Sequence, residues 1–481
     1  MTSSDRSFFG HPRGLATLFF TEMWERFSYY GMRAILILYL TSKVEVGGLH
    51  LDVVTAGAIY GIFTSCAYLT SLGGGWVADR FLGQRKAVML GGAFIAVGNF
   101  GMMVPGLTAT VISLTLIAWG TGFLKTNCTT LVGSLYQQGD VRRDAGFSIY
   151  YMGINVGAMV APLVCGYLGQ TIHYRWAFLC AALFMIAGLL QFSLTSRYLG
   201  TAGLAPSLPP TGQDWSLLRY AGLGLLALAV ALAVLKPSIS GFADAFGLIL
   251  LITTIVTFVA LIFFGDFTPV EKRRIQLIFV LFCASAVFWS SFEQAGSTLN
   301  LFADRSSDNR LLGMAFPSSF YQSLNSLFLL FMAPFFAWLW VRMGDRDPSL
   351  PTKFAWGLLL VAAGFVVMAF AANIAGPTGK VGPEWLTFCY FLHSAGELCL
   401  SPVGLSAMTK LAPARIGGFM MGVWFLSIAV GNFMGGRVAS FYEAFPLPQL
   451  FGIVAAFSIV FGLILLLVAK PVARLMGVAK S

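Results

Sequence analysis

Fourteen long apolar segments follow one another along this 481-residue chain, and they leave it little choice of fold. A helix crossing a bilayer takes about 20 predominantly apolar residues. The segments run near 14–40, 53–78, 87–105, 110–135, 146–170 and 174–195, then 216–236 and 242–265. Six more lie near 275–302, 312–340, 354–374, 384–409, 417–440 and 448–470. Only 10% of residues are charged and mean hydropathy is +0.80, whereas a soluble globular chain carries about 25% charge. The reading is an all-α polytopic membrane protein with six, two and six spans.

Residues 196–215, rich in Pro and Gly, read as a linker into the central pair, whose spans are almost free of polar residues and so suit lipid. The expected organisation is a first bundle over 1–195, a linker with two accessory helices over 196–270, and a second bundle over 271–481. With the N-terminus inside, 20 of the 30 Lys and Arg fall in inside loops and ends, 7 fall outside and 3 lie within spans. Positive charge collects on the cytoplasmic side of membrane proteins, so both termini are placed there, in a cytoplasmic (inner) membrane. This bias also explains the net charge of +10 without a nucleic-acid partner. The opening residues lack the apolar run and cleavage site of a signal peptide. The seven cysteines all lie in apolar segments without metal-like spacing and read as small packing residues.

Against this background the intramembrane charges stand out. In a helix, Glu22, Glu25, Arg26, Tyr29 and Arg33 share one stripe about 16 Å long. Charge within a bilayer is expensive and persists where it faces a protein interior or a watery cavity. Further candidates are Lys125 and Asn127 in the fourth span, Asn155 in the fifth, and Glu293, Asn325, His393 and Glu397 in the second half. Three intramembrane cations (Arg26, Arg33, Lys125) face four anions (Glu22, Glu25, Glu293, Glu397), leaving one carboxylate to take up a proton in the low dielectric. Arg26 and Lys125 suit a carboxylate, Arg through its planar fork. Glu397 with Asn155 and Asn325 suits an ammonium group. Cations in the first half and an acid in the second fit a zwitterion, with Tyr29, Tyr30, Tyr68 and Trp424 as aromatic walls. For each aromatic alone, ordinary bundle packing is the better account.

Three motifs make the sequence resemble a known family, the proton-dependent oligopeptide transporters of the major facilitator superfamily. They are Glu22–Gly31 (EMWERFSYYG), Gly75–Lys86 (GWVADRFLGQRK) and Phe147–Gly157 (FSIYYMGINVG). The first and third are specific to the family, the second to the superfamily. The resemblance implies two six-helix bundles plus two extra helices, working as a proton-coupled symporter of di- and tripeptides by alternating access. It implies that Arg26 and Lys125 bind the peptide C-terminus, and that Asn155, Asn325 and Glu397 bind its N-terminus. Tyr29, Tyr30, Tyr68, Ser401 and Trp424 would line the pocket, and Glu22, Glu25 and Glu293 would carry the coupling protons. Arg33 with Glu293, and Lys125 with Glu397, match ion pairs closing the outer and inner ends. No cofactor or metal is implied, since the proton gradient supplies the energy, and a monomer is expected. His393 matches no motif and reads as a hydrogen-bonded interior histidine.

Two other readings compete. The same scaffold serves small anions such as nitrate in related proteins, which is the alternative substrate class. A membrane-embedded acyltransferase would need a grouped nucleophile or base set, and the four histidines (11, 50, 173, 393) form none.

Overall fold

The computed structural model describes residues 8–137, 140–376 and 379–475. Six long helices come first: α1 (Arg13–Thr41), α2 (Val53–Val77), α3 (Gln84–Gly101), α4 (Leu107–Ser134), α5 (Arg143–Tyr167) and α6 (Tyr174–Thr195). The central pair is α7 (Gly212–Leu235) and α8 (Ile239–Val259). Then follow α9 (Pro269–Phe292), the short α10 (Thr298–Arg305), α11 (Gln322–Met343), α12 (Leu350–Ala375), α13 (Glu384–Leu411), α14 (Gly417–Ala439) and α15 (Leu447–Leu475). Among the described residues, eleven helical segments are long and apolar enough to cross a membrane. Outside that set are α3, which opens on Gln84, Arg85 and Lys86, and the two helices richest in functional candidates, α1 and α13.

Local chemistry sets several helix starts. Thr211 and Asp214 form a reciprocal capping box, so α7 begins four residues earlier than its apolar run. Thr268 and Glu271 do the same for α9, with Pro269 in the first turn where its missing N–H costs nothing.

The structure corrects the reading in two places. The expected span at 312–340 starts only at α11, because Arg310–Leu311 and Met314–Ala315 pair as a two-stranded antiparallel hairpin, β1 and β2. Its turn takes Leu312 and Gly313 at φ +52° and +83°, a mirror-image turn matched to strand twist, and Pro317 follows before the helix resumes. Within the span expected at 275–302 the α-helix is interrupted: α9 ends at Phe292, a tight turn covers Glu293–Gly296, and α10 begins at Thr298. Glu293 therefore caps a helix at a bend.

The chain forms two compact units. One gathers Met1–Tyr29, Cys66–Gly157 and Leu179–Phe246; the other gathers Tyr30–Ser65, Ala158–Phe178 and Gly247–Ser481. Within the second unit, the segments of α1, α2 and α5 expected to face outside pack with second-half helices. Asn300 and Gln322 both donate to the Ala34 carbonyl, at 2.8 and 3.1 Å, and Ser440 donates to that of Val54 at 3.1 Å. Backbone meets backbone between α2 and α14, where a Cβ on Gly436 would stand 2.3 Å from the Gly61 Cα. Only glycine on both helices admits that approach. In the first unit, α5 rides as closely on α1: a Cβ on Gly157 would lie 2.4 Å from the Met23 carbonyl oxygen.

Candidate functional site

In the first unit the charge stripe of α1 is fully buried. The Arg26 guanidinium forks onto Glu25, through Nε and through a 2.7 Å bond from its terminal nitrogen. Glu22 is the more distant partner, its Oε1 lying 3.4 Å from Arg26 Nε. Tyr29 packs under the same guanidinium, 5.1 Å from ring centroid to Cζ, a cation–π contact strengthened by the absence of water. Lys125, on α4, sits with its ammonium 4.4 Å from the Tyr68 ring centroid. Asn155 is buried on α5 and turns its amide back to the Tyr151 carbonyl at 3.0 Å, one helical turn earlier. Asn127 does likewise, donating to Phe123 at 2.7 Å. Thus Glu22, Glu25, Arg26 and Tyr29 form one cluster, Lys125 with Tyr68 a second, and both asparagines are engaged by their own helices.

The second unit holds the other half of the polar set. Arg33 donates to Glu293 Oε2 at 2.6 Å and, through Nε, to the Tyr60 hydroxyl at 2.9 Å. The Tyr30 ring lies 5.6 Å from the guanidinium. Both ends of this ion pair are more than nine-tenths buried, a geometry in which losing one partner strands a charge. Beside it is a cavity of about 30 Å³, room for one or two waters, lined by Tyr30, Arg33, Asn325, Tyr390 and His393 among others. Asn325 reaches from α11 to α13, donating to Glu397 Oε2 at 3.1 Å and to the Ser394 hydroxyl at 3.0 Å. Ser394 in turn donates to the Tyr390 carbonyl.

Trp424 is buried on α14 against Phe354, with the rings 6.3 Å apart, and its indole covers Gly404. Its contacts in this structure are those of core packing. Ser401 is half-buried on α13. His393 is fully buried, with Nε2 3.5 Å from Cys389 Sγ and its ring 5.2 Å from that of Phe365.

Two site residues escaped the sequence reading. Tyr60 accepts from Arg33, and Tyr150 donates to Glu22 at 2.7 Å. Nothing in the sequence marks Tyr60. Tyr150 lies inside the third motif, where it looks like another ring on an apolar helix.

Comparison with known proteins bears on this arrangement as a whole. The family model described as "POT family" matches residues 85–455. The chain is 42% identical over 476 residues to the uncharacterized transporter YclF of Bacillus subtilis, covering 98% of this chain and 96% of that one. It is 35% identical to a di-/tripeptide transporter of Lactococcus lactis subsp. cremoris, covering 99% of each. A crystal structure of the peptide transporter POT in complex with sulfate superposes with a TM-score of 0.94 at 42% identity, over 98% of this chain and 97% of that one. With a family model matched over residues 85–455 and relatives aligned over nearly the whole chain, the chain belongs to the POT family, on the major facilitator superfamily fold.

Proposed function

We propose that the protein is a proton-coupled symporter that imports di- and tripeptides across the cytoplasmic membrane by alternating access, with both termini in the cytoplasm. The observation that carries this reading is the distribution of charge within the membrane helices. Two cations, Arg26 and Lys125, stand in one unit, and an amide-held carboxylate, Glu397, stands in the other. Arg26 and Lys125 would take the peptide carboxylate, and Glu397 with Asn325 and Asn155 its ammonium group. Tyr29, Tyr30, Tyr68, Ser401 and Trp424 would shape the pocket, and Lys125 with Glu397 would close the inner end. The protein would work as a monomer in the lipid bilayer, with protons and peptides as its ligands and no cofactor. Support for the peptide class comes from the Lactococcus relative's name. The deciding test is uptake of labelled dialanine into proteoliposomes with and without an inward proton gradient. Accumulation above equilibrium only with the gradient is expected; gradient-independent entry would overturn coupling.

Arg26 supplies the coupling step. Its fork is engaged by Glu25. A peptide carboxylate competing for that fork leaves a buried glutamate unpaired, and such a group takes up a proton. Glu22→Gln and Glu25→Gln are therefore expected to lose concentrative uptake while retaining exchange of peptide for peptide. Equal loss of both activities would make these residues structural.

A further inference from the structure

The geometry points to Tyr150 as a positioning residue for the carboxylate of Glu22, its phenol setting the pH range over which proton-driven uptake operates. This rests on the reading of Glu22 as a coupling carboxylate.

Tyr150 O–H donates to Glu22 Oε2 at 2.7 Å, and both side chains are buried, with Glu22 wholly inaccessible. Arg26, the nearest cation on the same helix, spends its fork on Glu25 and stands 3.4 Å from Glu22 Oε1. That oxygen has no hydrogen-bond partner among the described residues. The two oxygens of Glu22 are thus unequal: Oε2 is held by a phenol, while Oε1 faces the Arg26 guanidinium at 3.4 Å without a hydrogen bond.

The surroundings leave the phenol as the adjustable element. From α1 the groups around Glu22 are Glu25 and Arg26. From α4 come Cys128 beside it and Lys125, whose charge acts on Glu25. From α5 comes Tyr150 alone. The Tyr150 ring is fixed in a core with Leu18, Cys128 and Leu131, and α5 is drawn against α1 through the bare backbone at Gly157. The phenol therefore arrives preorganised.

Removing it takes away one donor to the anionic carboxylate while leaving the ring in place. A hydrogen bond to a charged group is stronger than a neutral one, and its loss is expected to move half-maximal uptake upward by about one pH unit, a tenfold lower proton concentration. The experiment is the pH profile of gradient-driven dialanine uptake for wild type and Tyr150→Phe, with peptide exchange at saturating peptide as the control for folding. In parallel, labelling of Glu22 by a hydrophobic carbodiimide, which attacks protonated buried carboxylates, is mapped by mass spectrometry as a function of pH. An upward shift of both profiles with exchange retained supports the assignment. Superimposable profiles would overturn it and leave the transport reading intact. Wild-type uptake that ignores the gradient would overturn both. If Tyr150→Phe does not fold, 3-fluorotyrosine at position 150, a more acidic phenol and so a stronger donor, is expected to move both profiles downward; no shift there also overturns the assignment.

Discussion

Glu293→Gln is expected to abolish gradient-driven peptide accumulation, by about 100-fold or more, while leaving exchange of peptide for peptide within a few-fold of wild type. The pair it breaks is buried at both ends and joined at 2.6 Å, and Arg33 also donates to the Tyr60 hydroxyl at 2.9 Å. Breaking such a pair from one side costs about 3–5 kcal/mol, because the stranded charge keeps its desolvation penalty. A full swing between two conformations takes about 5.5 kcal/mol, so this single contact commands most of it. The glutamine removes the carboxylate charge permanently, and with it the coupling role proposed for Glu293. The measurement is accumulation and counterflow in the same proteoliposomes. Accumulation at the wild-type rate in Glu293→Gln would remove Glu293 from the coupling path.

The second large effect concerns the ligand. An N-acetylated dipeptide and a C-terminal amide should each compete with labelled dialanine more weakly than the free dipeptide, by about ten- to a thousandfold at fixed pH. Loss of the ammonium leaves Glu397 with Asn325 as its hydrogen-bond donor. Loss of the carboxylate leaves the peptide nothing to offer Arg26 in exchange for Glu25. Glu397→Gln should then weaken free peptides more than N-acetylated ones, since the latter already lack the group it recognises. Equal competition by blocked and free peptides would shift the reading to a small anion on the same scaffold.

Charge was the legible part of the site, because a carboxylate or guanidinium in an apolar run has few physical excuses. Glu22, Arg26 and Arg33 are visible in the sequence for that reason, and the structure joins Arg26 to Glu25 and Arg33 to Glu293 as pairs. Tyr150 and Tyr60 were invisible because a hydropathy pattern registers their rings and says nothing of where a hydroxyl ends. The hairpin at 310–315 was hidden for the opposite reason: Leu311, Leu312, Met314 and Phe316 continue an apolar run that Gly313 and Pro317 in fact interrupt. The break at Glu293–Gly296 carries one glycine, Gly296, against which the Tyr60 hydroxyl packs too closely for a Cβ, a contact that only the folded chain reveals.

The meeting of Gly61 with Gly436 has a consequence for how cheaply α2 and α14 can part. Two bare backbones in contact have no side-chain rotamers to freeze on closing and none to release on opening. Their separation changes little but dispersion, which is weak per atom pair and spread over few atoms. Such a seam behaves as a dry latch with almost no grip of its own. What holds this region together is then left to the polar contacts around the glycines, the Arg33–Glu293 pair and the hydrogen bonds to the Ala34 and Val54 carbonyls.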